Sequence, residues 1–171
     1  MKKIAIATLL AAFAAVPAVA AAEAYIGLNV GSNQLDYTNV GSSTAYNILG
    51  GYSFNQYVAA ELAYTDLGTA TVSNSNVADV KGTQMSLSAV GSLPLGKDFA
   101  LLGKLGYAST KLDAGTSSVT KSDIIYGVGA QYNVGKNVGL RLNYDIFTVG
   151  DDVTFLKKSS AMVSLGAIYK F

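Results

Sequence analysis

From Ala24 to Phe171 apolar side chains recur at every second position, with small or polar residues between them. A period of two marks a β-strand whose two faces meet different surroundings, because successive Cβ atoms point to opposite sides. No stretch of this region carries the competing 3.6-residue period of an amphipathic helix.

Read with its turn-forming clusters, the alternation predicts eight strands: Ala24–Asn33, Thr44–Phe54, Tyr57–Thr65, Gly82–Leu93, Phe99–Ala108, Asp123–Asn133, Val138–Asp145 and Ser160–Phe171. Short connections at Asn55-Gln56, Pro94–Asp98 and Val134–Asn137 alternate with long polar ones at Gln34–Ser43, Asp66–Lys81, Ser109–Ser122 and Ile146–Ser159. Strict alternation collects the turns at one end of an up-and-down sheet and the loops at the other, as in barrels with short periplasmic turns and longer external loops. The expected fold is all-β, an eight-stranded antiparallel up-and-down transmembrane β-barrel.

One parity set reads Ile26, Leu28, Val30 on the first strand, Leu101, Leu105, Tyr107 on the fifth and Leu140, Leu142, Tyr144 on the seventh. The other reads Gly27, Asn29, Gly31, then Lys104, Gly106, then Gly139, Arg141, Asn143. A soluble barrel that carries a ligand inside would show the same alternation with the apolar set inward, so parity alone leaves both readings open. Volume separates them. An eight-stranded interior is just wide enough to be filled by side chains or to hold one small ligand, too little for this many Leu, Ile, Val, Tyr and Phe. Charge agrees, since a soluble exterior carries roughly 25–35% charged residues, whereas glycine and serine dominate the second set. The apolar set should therefore face lipid and the small polar set should fill the lumen.

Aromatic residues also sort by level. Tyr52, Phe54, Phe99, Tyr132, Tyr169 and Phe171 fall near the short turns, and Tyr46, Tyr64, Tyr107, Tyr126 and Tyr144 near the loops. Two such belts match the girdles that aromatic side chains form at both membrane interfaces.

Composition fits a membrane solvent. Charged residues make up 13% of the 171 and the mean hydropathy is +0.33. The one run of about 20 apolar residues, the length of a spanning helix, lies between Ile4 and Ala22, directly after Lys2 and Lys3. A basic start, an apolar stretch interrupted by Pro17 and the small residues Ala18, Val19 and Ala20 form a signal-peptide pattern. Cleavage is expected after Ala20 or Ala22, so residues 1–22 are read as a cleaved signal peptide and 23–171 as one barrel domain. Removing Lys2 and Lys3 leaves 10 basic and 11 acidic residues, a formal charge of −1. No polybasic field then points to nucleic acid. The absence of cysteine removes disulfides and thiolate metal sites.

The segments AYIGLNVG, GYSFNQYVAAELAYTDLG, PLGKDFALLGKLGYA, YGVGAQYNVGKNVGLRLNYD and SLGAIYKF, in that order, resemble the OmpA-like family of small outer-membrane, porin-like β-barrels. The likeness covers essentially the whole mature chain. It implies residence in a Gram-negative outer membrane, contact with outer-membrane lipid, and delivery by periplasmic chaperones to the outer-membrane assembly machinery. It also implies that the terminal aromatics Tyr169 and Phe171 form an assembly signal. Because the chain ends at Phe171, the peptidoglycan-binding domain of longer relatives is expected to be absent.

Some barrels of this class are hydrolases, acyltransferases or proteases, and a resemblance to them would require a histidine for general-base or nucleophile-activating work; this sequence has none. No G-x-S-x-G elbow is present, and Asp151-Asp152 lacks the spacing of a calcium loop. No catalytic, cofactor-binding or metal-ligating residue is therefore assigned, and no cofactor is expected. The candidate site is a lumen charge cluster of Glu61, Lys104 and Arg141, at comparable depths on the polar face, with Asp145 and Lys170 as extensions. A pairing of Glu61 with Lys104 across the lumen is expected. The function expected is a non-catalytic integral barrel with an envelope role and external loops for surface contacts such as adhesion or immune evasion. The alternative is a narrow small-solute or ion channel lined by the same charges.

Overall fold

The computed structural model describes residues 23–34, 43–70, 80–114, 117–149 and 158–171. They form eight strands and no helix: β1 Glu23–Gln34, β2 Ser43–Ser53, β3 Val58–Ala70, β4 Val80–Pro94, β5 Phe99–Ala114, β6 Ser117–Asn133, β7 Val138–Val149 and β8 Lys158–Lys170. Each strand pairs antiparallel with the next, and β8 returns to pair with β1, closing the barrel. The proposed leader, residues 1–22, lies outside the described residues, as does Asp151-Asp152.

The register fixes the barrel's dimensions. From Lys104 the rung of paired residues runs one way through Val90, Ala59 and Ser53 to Glu23 on β1. The other way it runs through Gly127, Asp145 and Met162 to Asn33, ten residues further along the same strand. A stagger of ten over eight strands tilts the strands by about 40° and sets a backbone radius of about 8 Å, given the usual rise and strand spacing. That leaves room for inward side chains and for little else.

Both faces are populated as the alternation requires. Leu28, Val30, Leu87, Leu105, Val128 and Leu165 point outward and stay exposed, a surface that is stable only against hydrocarbon. Phe54, Phe99, Tyr132, Tyr169 and Phe171 ring the turn end, where Tyr52–Phe54 and Tyr169–Phe171 meet edge to face at centroid separations of 5.4 Å. Tyr46, Tyr64, Tyr107, Tyr126 and Tyr144 ring the loop end. Along β5 the two belts are the eight residues from Phe99 to Tyr107 apart, about 20 Å of axial height at that tilt.

The turns Phe54–Tyr57, Leu95–Asp98 and Val134–Asn137 fall where expected. Asn55 shows why the first is tight, because its Oδ1 accepts hydrogen bonds from the backbone N–H groups of Tyr57 and Val58 at 2.8 and 2.9 Å. The loop end departs from expectation. β3 continues to Ala70, β4 begins at Val80, and β5 and β6 stay paired from Phe99↔Tyr132 to Ala114↔Ser117. The segment read as a Ser109–Ser122 loop is therefore mostly hairpin. Beyond the upper belt neither face touches lipid, so the hydrophobic alternation ends while the ladder hydrogen bonds continue in Ser, Thr and Lys. On β3 the ladder breaks between Asp66 and Thr69, where Gly68 takes φ 77° and donates its N–H to Asp66 Oδ1 at 2.9 Å.

Candidate functional site: the charged layer of the lumen

Glycines place the charges. Tyr25, Gly51 and Glu61 occupy one rung of β1, β2 and β3. The Tyr25 ring lies where a side chain at Gly51 would stand, which lets its hydroxyl cross the middle strand and donate to Glu61 Oε1 at 2.8 Å. Lys104, Gly127 and Asp145 repeat the device on β5, β6 and β7. The Asp145 carboxylate occupies the space of a Gly127 side chain, and Lys104 Nζ reaches it at 2.9 and 3.0 Å from the two oxygens. Oδ2 is the aligned acceptor; Oδ1 is close enough to pair with the ammonium but accepts no directed hydrogen bond.

Arg141 on β7 completes the layer. Its Nη1 donates to Glu61 Oε1 in an ion pair across the lumen, and its Nε and Nη2 donate to Gln131 Oε1 at 3.2 and 3.0 Å. Gln131 passes the chain on to Asn133 Oδ1 at 2.9 Å. The guanidinium carbon also stands 5.5 Å from the centre of the Tyr25 ring, within cation–π range. On the opposite wall Asn29 donates to Asn47 Oδ1 at 2.7 Å and Asn47 to Thr65 Oγ1 at 2.8 Å, a ladder along one rung. Glu61 and Arg141 are 3% and 4% exposed, so each ion has exchanged nearly all of its water for fixed partners.

Glu61, Lys104 and Arg141 stand in one layer, but in other pairs than the expected Glu61 with Lys104. Glu61 takes Arg141 rather than Lys104, and Lys104 takes Asp145. The rung geometry is the reason, since Gly127 opens a direct path from Lys104 to Asp145 along one rung. Asp145 joins the layer. Lys170 does not: it lies beside Tyr25 at the turn end and makes no ion pair among the described residues. Between the two pairs is a cavity of about 10 Å³, bordered by Glu61, Lys104, Arg141, Asn143 and Asp145, about the room that one water centre needs. No group of His, Cys, Asp and Glu among the described residues could hold a metal ion.

Sequence reasoning missed the apolar part of the lumen. Tyr25, Leu49 and Ala63 pack together on the β1–β3 wall, and Ala45, Ala108, Ile125, Phe147 and Met162 form a second cluster on the loop side. Both were visible in principle as apolar residues on the polar parity, such as Ile125 beside the outward Ile124 and Tyr126.

A closed eight-stranded barrel with a lipid-compatible wall, two aromatic belts and a packed ionic lumen defines a small transmembrane β-barrel. The chain belongs to the outer membrane protein β-barrel domain family, whose model matches residues 5–171, and its place is the Gram-negative outer membrane. It is 31% identical over 191 residues to outer membrane protein A of Escherichia coli O157:H7, covering 100% of this chain and 55% of that protein. The chain therefore spans about half the length of this relative. The N-terminal β-barrel domain of Pseudomonas aeruginosa OprF is similar in fold at a TM-score of 0.60 and 17% identity, covering 86% of this chain and 97% of that one. Yersinia pestis Ail, the attachment invasion locus protein, in its complex with the heparin analogue sucrose octasulfate, gives 0.58 at 21% identity, with 88% and 97% covered.

Proposed function

We propose that this protein is a closed, non-catalytic barrel that serves the integrity of the outer membrane and presents its loop end for contacts at the cell surface. The observation that carries the reading is the filled lumen, where Tyr25, Glu61, Gln131 and Arg141 meet from β1, β3, β6 and β7 and a second layer of Ala45, Ala108, Ile125, Phe147 and Met162 packs on their loop side. Aqueous channels belong to barrels of about 16–18 strands. The β5–β6 hairpin supports the second half of the proposal, because it carries paired backbone well past Tyr107 and Tyr126 and so lifts a polar surface out of the bilayer. That the similar fold of Ail holds a sulfated sugar analogue makes loop-end recognition of an external ligand a reasonable use of such a surface.

Single-channel recording of the refolded protein in planar bilayers tests the closed state; steady conductance would move the assignment to the narrow-channel alternative, for which the small cavity is the one structural argument. Two further parts of the reading concern export. Cleavage after Ala20 or Ala22 predicts a mature N-terminus at Ala21 or Glu23, which N-terminal sequencing checks. Tyr169 and Phe171 as an assembly signal predict that Phe171→Ser slows insertion in cells while leaving refolding into detergent unchanged.

A further inference from the structure

We infer that the lumen is sealed on its loop side by an apolar septum of Ala45, Ala108, Ile125, Phe147 and Met162, and that the ion pairs beneath it are not the seal. The inference rests on the closed-barrel reading and says where the closure lies.

The five residues come from β2, β5, β6, β7 and β8 and are at most 4% exposed. In a ring of eight strands β2 stands opposite β6, so a cluster joining them crosses the whole lumen. Its position follows from the register. Ile125 and Phe147 face each other one inward position toward the loops from Gly127 and Asp145, and Met162 is paired with Asp145 itself. The septum therefore sits directly on the loop side of the charged layer.

The two layers oppose an ion differently. The charged layer is polar and includes a cavity of about one water, bordered by the carboxylates of Glu61 and Asp145 and by Asn143. A partly dehydrated ion could be received there. The five septum side chains themselves offer a crossing ion no hydrogen-bonding group, while the inward polar residues beside them, Ser86 paired with Ala108 and the buried Thr65 and Gln84, line only the β3–β4 wall; an apolar constriction closes a pore by excluding water from it. The apolar residues on β1–β3 cannot do the same, because Tyr25, Leu49 and Ala63 cover one wall without crossing.

The absence of cysteine makes the test clean. Asn143, which borders the cavity, is replaced by Cys in four backgrounds: the otherwise unchanged barrel, Glu61→Gln with Arg141→Met, Phe147→Ala with Met162→Ala, and Met162→Gln. A small membrane-impermeant thiol reagent is added from the loop side of proteoliposomes, and folding of each variant is checked by heat-modifiable gel mobility. Met162→Gln wets the septum at nearly constant volume and serves if the double truncation fails to fold. The expected result is no labelling in the first two backgrounds and complete labelling in a folded septum variant. Labelling of the charge-neutralised barrel with its septum intact would overturn the inference while leaving the closed-barrel reading standing. Folded septum variants that stay unlabelled would also overturn it. Labelling of the otherwise unchanged barrel would overturn both.

Discussion

The lipid-facing wall and the lumen follow opposite rules, although they are built from alternate residues of the same strands. Outward, any apolar side chain of moderate size satisfies the bilayer; Leu, Val, Ile, Met and Tyr alike occupy exposed positions there. Inward, identity and position are both fixed, because Tyr25 needs Gly51 beneath it to reach Glu61 and Lys104 needs Gly127 to reach Asp145. The wall is specified by polarity and the lumen by geometry. A substitution should therefore be judged first by its parity and only then by its chemistry.

The largest expected effect is in the lumen. Glu61→Ala leaves Arg141 buried with its counter-charge gone, and breaking a buried pair from one side costs about 3–5 kcal/mol. Glu61→Gln combined with Arg141→Met should cost much less, since replacing both ions removes the uncompensated charge. Urea titration of refolded protein measures both. A double variant as unstable as Glu61→Ala would mean that the pair itself, rather than the stranded charge, holds the layer together.

On the wall the most damaging change is a charge at mid-depth. Leu142 is 49% exposed, points outward and lies on a rung between Ala130 and Leu165, between the two belts. Leu142→Arg should cost about 2–4 kcal/mol in lipid bilayers, as for arginine at the midplane of other barrels. Leu142→Val, still apolar, should change folding stability little. If arginine were tolerated there, this wall would not be the lipid face.

Smaller than either is the effect that tests the glycine device. A Cβ at Gly127 would strike the Asp145 carboxylate and the carbonyl oxygen of Tyr144, the latter at 2.7 Å. Backbone cannot yield cheaply, and forcing an extra carbon into a packed site costs about 1–3 kcal/mol. Gly103→Ala is the control, since a Cβ there meets nothing within 4 Å. Denaturant midpoints of the two variants should separate clearly. Coincident midpoints would show that the Lys104–Asp145 rung relaxes without cost.

Polarity is legible in a sequence and geometry largely is not, which explains what could be read in advance. The eight strands, their parity, the three tight turns and both aromatic belts followed from the alternation, the turn-forming clusters between its runs and the levels at which the aromatics fall. The pairing of Glu61 with Arg141 did not, because it depends on the ten-residue stagger, which no local pattern encodes. The inward apolar residues Ile125, Phe147 and Met162 were hidden for a related reason. They sit on a parity whose majority is small and polar, and only the closing of the ring brings β2 opposite β6. The strand ends of β5 and β6 were missed because lipid, not pairing, produces the alternation, and these ends lie beyond lipid.

The smallest prediction makes one chemical change on both faces. Tyr25→Phe removes a hydroxyl that donates to Glu61 at 2.8 Å from a ring that is 3% exposed. Glu61 keeps Arg141 on the same oxygen, so the carboxylate is weakened rather than stranded, and the loss should be near that of one hydrogen bond, about 1–2 kcal/mol. Tyr107→Phe removes the same atom from an outward ring in the upper belt. There the hydroxyl faces the interface, where water or lipid polar groups satisfy it, and the remaining ring keeps its place in the belt. Its cost should fall within the error of the measurement. The difference between the two variants cancels the intrinsic effect of exchanging tyrosine for phenylalanine and leaves the effect of position. Equal midpoints in urea would mean that Tyr25 acts as a space-filling ring over Gly51 and that its bond to Glu61 adds nothing to the layer.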